Sequence, residues 1–246
     1  MANPSGSPRA TTVADPAMLF HEVSGEGPPV VLLHGLAGSG RWWAKNIDAL
    51  MARFRIYAVD LAGFGGSRRL GRFRLDEAVA SLIAWMDSAK IVRASVVGHS
   101  MGGLVAARLA AEAPDRVDRL ILVDAAFLTF EPGKTKLALG LLRSFWSMQR
   151  DIILLLTRDS LRAHPLSLGF ATLDLLATDW RPMLSRIRAP TLIIWGEHDT
   201  LTPESIGRQI AASIPDARLV FIPGAGHNAM LDRPDAFNAE VIAFLG

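Results

Sequence analysis

The chain has 246 residues, of which 50% are hydrophobic and 20% charged, with a formal net charge of +2. That length accommodates one large α/β domain or two small ones, and the composition is globular, neither disordered nor fibrous. There is no cysteine, which excludes disulfides, thiolate zinc sites and cysteine nucleophiles. Residues 1–14 are polar and rich in Pro, Ser and Thr, and read as a flexible N-terminal segment without a signal-peptide stretch. Residues 18–23 alternate weakly and predict an edge strand. Pro29–Leu33 is a continuous apolar run ending in His34-Gly35, the pattern of a strand covered on both faces. A helical pattern over 41–53, a buried strand over 55–60 and an amphipathic helix over 75–89 follow. Residues 94–97 predict a strand, 103–112 a helix and 120–124 another buried strand. After a long interval come a strand over 191–195, a helix opening near Pro203, a strand over 219–222 and a last helix from Pro234.

Strands alternating with helices at this spacing predict an α/β architecture: a mostly parallel sheet of about eight strands with helices on both faces. One stretch breaks the rhythm. Between Asp124 and Pro190 only helix-prone segments occur, such as 136–149 and 151–156, and roughly sixty residues are too many for a simple loop. Residues 127–188 therefore read as an inserted helical cap on a core made of 15–126 and 189–246. The insertion carries nine basic residues against five acidic ones. Within it Leu142, Phe145, Trp146 and Met148 recur at helical spacing, and they are expected to face a substrate pocket together with His34, Gly35, His99 and Phe127.

The chemistry concentrates at Gly98-His99-Ser100-Met101-Gly102, a Gly-x-Ser-x-Gly run between a predicted strand and a predicted helix. A serine on so sharp a turn needs small neighbours, and the helix N-terminus behind it favours developing negative charge. A serine hydroxyl becomes nucleophilic only with a base and an orienting acid. Of six histidines only His227 follows the last predicted strand, in the glycine-bearing loop Pro223-Gly224-Ala225-Gly226-His227. The acid has two contenders, Asp199 in Gly196-Glu197-His198-Asp199 and Asp124 at the strand end before the insertion; either preserves the order Ser…Asp…His, and Asp199 has the better loop. Oxyanion donors are expected from the N–H of Met101 and from the loop His34-Gly35-Leu36-Ala37-Gly38-Ser39-Gly40, at Leu36. That loop lacks the Gly-Lys-Ser/Thr ending of a nucleotide cradle, and the histidines lack a metal-binding spacing, so no metal is expected.

Together, His34-Gly35, Asp60-x-x-Gly63-x-Gly65-x-Ser67, Gly98-His99-Ser100-Met101-Gly102-Gly103, Gly196-Glu197-His198-Asp199 and Gly226-His227 resemble the α/β-hydrolase superfamily, from about residue 18 onward. The resemblance implies Ser100 as nucleophile, His227 as base, Asp199 as acid, Leu36 and Met101 as oxyanion donors, a cap in the insertion and no cofactor. Epoxide hydrolases and haloalkane dehalogenases of the superfamily carry aspartate where this chain has Ser100. His99 and Asn228 depart from the Asn and Trp often found in C–C bond hydrolases, and Asn228 from the lysine of plant hydroxynitrile lyases. Perhydrolases differ at His99 and Leu36. The expected activity is therefore a carboxylesterase or lipase-like ester hydrolase for short to medium acyl chains. C–C bond hydrolysis, perhydrolysis and a non-enzymatic ligand-binding role on the same fold stay open. The expected partner is a small-molecule ester. The scattered arginines predict no nucleic-acid binding, no run is long enough to predict a membrane span, and a cytoplasmic location is expected; the oligomeric state is not legible.

Overall fold

The computed structural model describes residues 11–13, 18–127, 150–164, 166–177 and 179–246. Its strands are β1 (Thr11–Val13), β2 (His21–Ser24), β3 (Pro29–Leu33), β4 (Arg55–Val59), β5 (Ala94–His99), β6 (Val117–Val123), β7 (Thr191–Gly196) and β8 (Ala217–Ile222). They form one sheet in the order β1-β2-β4-β3-β5-β6-β7-β8. β1 pairs antiparallel with β2, and β2 antiparallel with β4; the pairings from β4–β3 through β7–β8 are all parallel. The helices are α1 (Ala44–Leu50), α2 (Leu75–Ser88), α3 (Met101–Glu112), α4 (Arg150–Arg162), α5 (Ser167–Ala177), α6 (Arg181–Leu184), α7 (Glu204–Ser213), α8 (Ala229–Asp232) and α9 (Pro234–Leu245).

The uninterrupted apolar runs of the central strands are explained by cover on both faces. Successive side chains go to opposite sides of the sheet. Val31, Leu33, Val96, Leu122 and Ile193 join one buried cluster with Leu82 and Trp85 of α2, Leu104 of α3 and Ile210 of α7. Val30, Leu32, Val97, Ile121 and Ile194 join a second with Leu50 of α1 and Phe237 and Val241 of α9. The parallel strands end together on one side, where an open α/β sheet places its ligand site.

Three local departures from the sequence reading have physical causes. The β-branched run Thr11–Val13, at the end of the segment read as flexible, pairs with His21, Glu22 and Val23. The first predicted strand begins later, because Phe20 instead receives the Asp60 N–H at its carbonyl and donates its own N–H to Ser67 Oγ. The helix expected over 41–53 shortens to α1, because Gly40–Trp43 winds as a 3-10 turn that buries both Trp42 and Trp43.

Between β6 and β7 the described residues contain α4, α5 and α6 and no strand. This helical segment is seated on the loop after β4. The His164 N–H reaches Gly63 O at 2.8 Å, and Ser167 Oγ accepts the Phe73 N–H at 2.8 Å. Gly63 has φ 83°, and a Cβ there would lie 2.2 Å from Ser167 Oγ, so a side chain at 63 would unseat α5. Among the described residues no helix is long and apolar enough to cross a membrane.

Gly102 and Gly169 give opposite expectations for the same substitution. A Cβ on Gly102 would meet the backbone oxygens of His34 and Leu33 at 2.5 and 2.6 Å, whereas one on Gly169 of α5 meets nothing within 4 Å. Gly102→Ala is expected to cost ~1–3 kcal/mol. Gly169→Ala is expected to add ~0.5–1 kcal/mol by helix propensity. Urea unfolding midpoints check both signs; a neutral Gly102→Ala would contradict the packing of α3 on β3.

Candidate active site

The turn from β5 into α3 is built around one strained residue. Ser100 has φ 51° and ψ −116°, a conformation that costs a non-glycine residue about 1–3 kcal/mol and persists only when its surroundings hold it. The Ser100 N–H donates to Val123 O at 2.9 Å, and its carbonyl accepts from Gly103 and Ala126 at 3.0 and 3.2 Å. Glycine at 98 lets the chain double back, since a Cβ there would sit 2.3 Å from Gly102 O. The elbow thus presents the Ser100 hydroxyl at the start of α3, beyond the strand ends.

His227 arrives from the loop between β8 and α8. Its Nε2 lies 3.0 Å from Ser100 Oγ, and its Nδ1 lies 2.8 Å from Asp199 Oδ2. Nδ1–H donating to the carboxylate leaves Nε2 with a lone pair aimed at the hydroxyl. Asp199 is held in turn: its Oδ1 accepts the Leu201 and Thr202 N–H groups at 2.8 and 2.9 Å, and the Thr202 hydroxyl donates to Oδ2. Serine, imidazole and carboxylate are all buried. The acid loop and the histidine loop touch backbone to backbone, and a Cβ on Gly196 would lie 2.0 Å from Gly226 O.

Asp124, the other contender for the acid, makes no hydrogen bond to His227. Its Oδ1 accepts the Gly196 N–H at 2.7 Å and its Oδ2 the Ala229 N–H at 3.2 Å, so it ties together the two loops that deliver Asp199 and His227. Burial, and then the charge of nearby Asp199, push its carboxyl well above the usual carboxylate range.

Two histidines read as pocket residues bond backbone groups, through both ring nitrogens of His34 and one of His99. His34 Nδ1–H donates to Gly35 O at 2.7 Å, and its Nε2 accepts the Leu61 N–H at 3.0 Å, which fixes its neutral tautomer. His99 Nε2–H donates to the carbonyl of His227 at 2.8 Å, while its Nδ1 is buried without a partner. Burial lowers both imidazoles, and in His99 the repulsion expected from a protonated His227 lowers it further. Gly35 is buried where a Cβ would meet His99 Nδ1 at 2.7 Å, so glycine lets this loop lie against the elbow. Phe127 is fully buried and meets Trp180 edge to face at 6.4 Å. Leu142, Phe145, Trp146 and Met148 lie outside the described residues.

The loop after β3 turns tightly, with Gly38 N–H on Gly35 O at 3.1 Å and Ala37 at φ 64°. Its far end is pinned by Asp60, whose carboxylate accepts the Gly40 and Gly66 N–H groups, each at 2.6 Å. Leu36 is half-buried on this turn and Met101 opens α3, where an N–H has no intrahelical acceptor. Sequence reasoning missed the roles of Thr202, which braces Asp199, and of Asp60; the Thr-Pro turn after Asp199 and the aspartate closing β4 were the available signals. Among the described residues no group of acidic, histidine or cysteine side chains is arranged to hold a metal.

The family model described as the alpha/beta hydrolase family matches residues 30–240. The chain belongs to that family. A relative from Azorhizobium caulinodans bearing the name carbamate hydrolase is 30% identical, over 94% of this chain and 96% of its own. A pimeloyl-[acyl-carrier protein] methyl ester esterase from Chromobacterium violaceum is 34% identical, over 89% of this chain and 94% of its own. Among solved structures, a meta-cleavage product hydrolase from Pseudomonas fluorescens is similar with a TM-score of 0.78 and 25% identity, covering 96% of this chain and 97% of that one. By their names these relatives act on different bonds, so family membership alone leaves the scissile bond of this chain open.

The buried neutral state of His99 carries a pH signature. Its folded-state pKa lies below the unfolded value near 6.5, so on acidification the unfolded chain takes up the proton first and stability falls. The stability gap between the native protein and His99→Gln is therefore expected to shrink from pH 7.5 to pH 5, by no more than ~1.4 kcal/mol per pH unit. A gap that stays constant or widens would mean that His99 is charged in the fold.

Proposed function

We propose that this chain is a serine hydrolase that cleaves carboxylic esters with short to medium acyl chains through an acyl-enzyme. The observation that carries the reading is the continuous line Ser100 Oγ–His227 Nε2, His227 Nδ1–Asp199 Oδ2, with spacings of 3.0 and 2.8 Å. In this reading His227 takes the hydroxyl proton as Ser100 Oγ attacks the ester carbonyl, and the negative charge moves onto the carbonyl oxygen. The N–H groups of Leu36 and Met101 receive that oxyanion. His227, now protonated and paired with Asp199, returns the proton to the leaving alkoxide as the ester C–O bond breaks. Water, deprotonated by His227, then attacks the acyl-enzyme, and the acid leaves as Ser100 regains its proton. No cofactor takes part in these steps. Residues 127–188 serve as a cap over a core of 15–126 and 189–246, and its apolar residues favour an acyl chain over a charged group.

The test is a series of p-nitrophenyl esters from acetate to palmitate, with a carbamate and a vinylogous 1,5-diketone alongside. Each added methylene contributes about 0.8 kcal/mol when buried, so two carbons should raise kcat/KM roughly tenfold until the pocket fills, at or below octanoate. Ser100→Ala is expected to lose about 10⁶-fold in kcat. Asp199→Asn is expected to lose about 10⁴-fold. Asp124→Asn, which disturbs only the loops, should lose under ~100-fold. Faster cleavage of the diketone or the carbamate than of any ester would overturn the substrate class. A greater loss from Asp124→Asn than from Asp199→Asn would overturn the choice of acid.

A further inference from the structure

Asp159 belongs to α4, in the inserted segment, yet its carboxylate is only 1% exposed. Among the described residues, its side-chain partners come from residues 39–42. Ser39 Oγ donates to Oδ2 at 2.6 Å, Trp42 Nε1 donates to the same oxygen at 3.2 Å, and an Arg41 guanidinium nitrogen lies 3.5 Å from Oδ1. Burying a carboxylate is costly unless donors meet it, so α4 can seat in this position only with Ser39 and Trp42 in place.

The stretch gripped by Asp159 is the continuation of the Gly35–Gly38 turn. The Trp42 ring lies directly under that turn, where a Cβ on Gly38 would be 2.8 Å from the indole. The same ring packs against His99 at 5.7 Å, and His99 bonds the carbonyl of His227. The core holds this loop at its ends, through His34 at Gly35 and Asp60 at Gly40. From the inserted segment, Asp159 holds the span just beyond the turn.

We propose that Asp159 is a positioning residue that couples the seating of the inserted helix to the oxyanion turn. The active site is then complete only with α4 docked: the Ser100–His227–Asp199 line belongs to the core, but the Leu36 N–H takes its place through a contact made by the insertion. This inference rests on the assignment of Ser100 as nucleophile and of Leu36 as an oxyanion donor.

The test measures the rate at which a small fluorophosphonate labels Ser100, because phosphonylation also develops charge in the oxyanion hole and needs no knowledge of the natural substrate. It is paired with kcat and KM for p-nitrophenyl acetate, whose acyl group is too short to need the cap. Asp159→Leu is expected to lower the labelling rate and kcat together by ~10- to 100-fold, with KM changed by less than about threefold. Asp159→Asn keeps an acceptor for Ser39 and Trp42 and is expected to recover most of the loss. Ser39→Ala, a small change that keeps the test available should Asp159→Leu not fold, is expected to lower both rates several-fold. Native-like labelling of folded Asp159→Leu or of Ser39→Ala would overturn the coupling while leaving the serine mechanism standing. So would a defect confined to KM for octanoate. A native protein that takes no label at Ser100 would overturn the serine mechanism, and the coupling with it.

Discussion

A serine with φ 51° between a strand and a helix is under strain that its own side chain does nothing to relieve. The strain is held by neighbours: Val123 and Ala126 bond its backbone, and Gly98, Gly102 and Gly103 let three segments close to backbone contact around it. Gly102 lies against the end of β3 and Gly103 against Ala125 after β6, so the elbow is wedged between its two neighbouring strands. Those strands supply the Gly35–Gly38 turn on one side and Asp124 on the other. The site follows from that wedge, because each of its loops is placed relative to the same turn.

Around Ser100, His227 and Asp199 lies a set of buried polar residues that bind backbone. His34 and Asp60 shape the turn after β3, His99 holds the carbonyl of His227, and Asp124 joins the acid and histidine loops. Loops are ordinarily the variable part of an α/β fold. Here they are cross-tied by side chains that expose little to solvent. Preorganised donors stabilise a transition state because they need not reorient as charge develops, and rigid loops are how that is achieved.

The sheet was legible because both of its faces are buried. Runs such as Pro29–Leu33 and 191–195 carry no polar alternation, and glycines mark where strands stop. The glycine-rich surroundings of Ser100 and His227, and the loop that holds Asp199, singled out three side chains that the fold brings into one hydrogen-bonded line. The backbone bonds of His34 and His99 were not legible, since a histidine in either motif reads equally as a pocket group or as a buried brace. Only the direction of the ring nitrogens separates the two. Asp159 was invisible for a different reason: its partners lie 117 to 120 residues away in sequence, and nothing local marks a carboxylate that will be buried by tertiary contact. Thr11–Val13 escaped because three residues carry too little pattern to register.

In the proposed mechanism Ser100 carries the acyl group during turnover. Acid-quenching a reaction with p-nitrophenyl butyrate within the first turnover, followed by peptide mass spectrometry, tests it directly. The expected result is a burst of about one p-nitrophenolate per chain, with a butyryl group on the peptide that contains Ser100. Turnover with that peptide unmodified, or a burst that persists in Ser100→Ala, would contradict it.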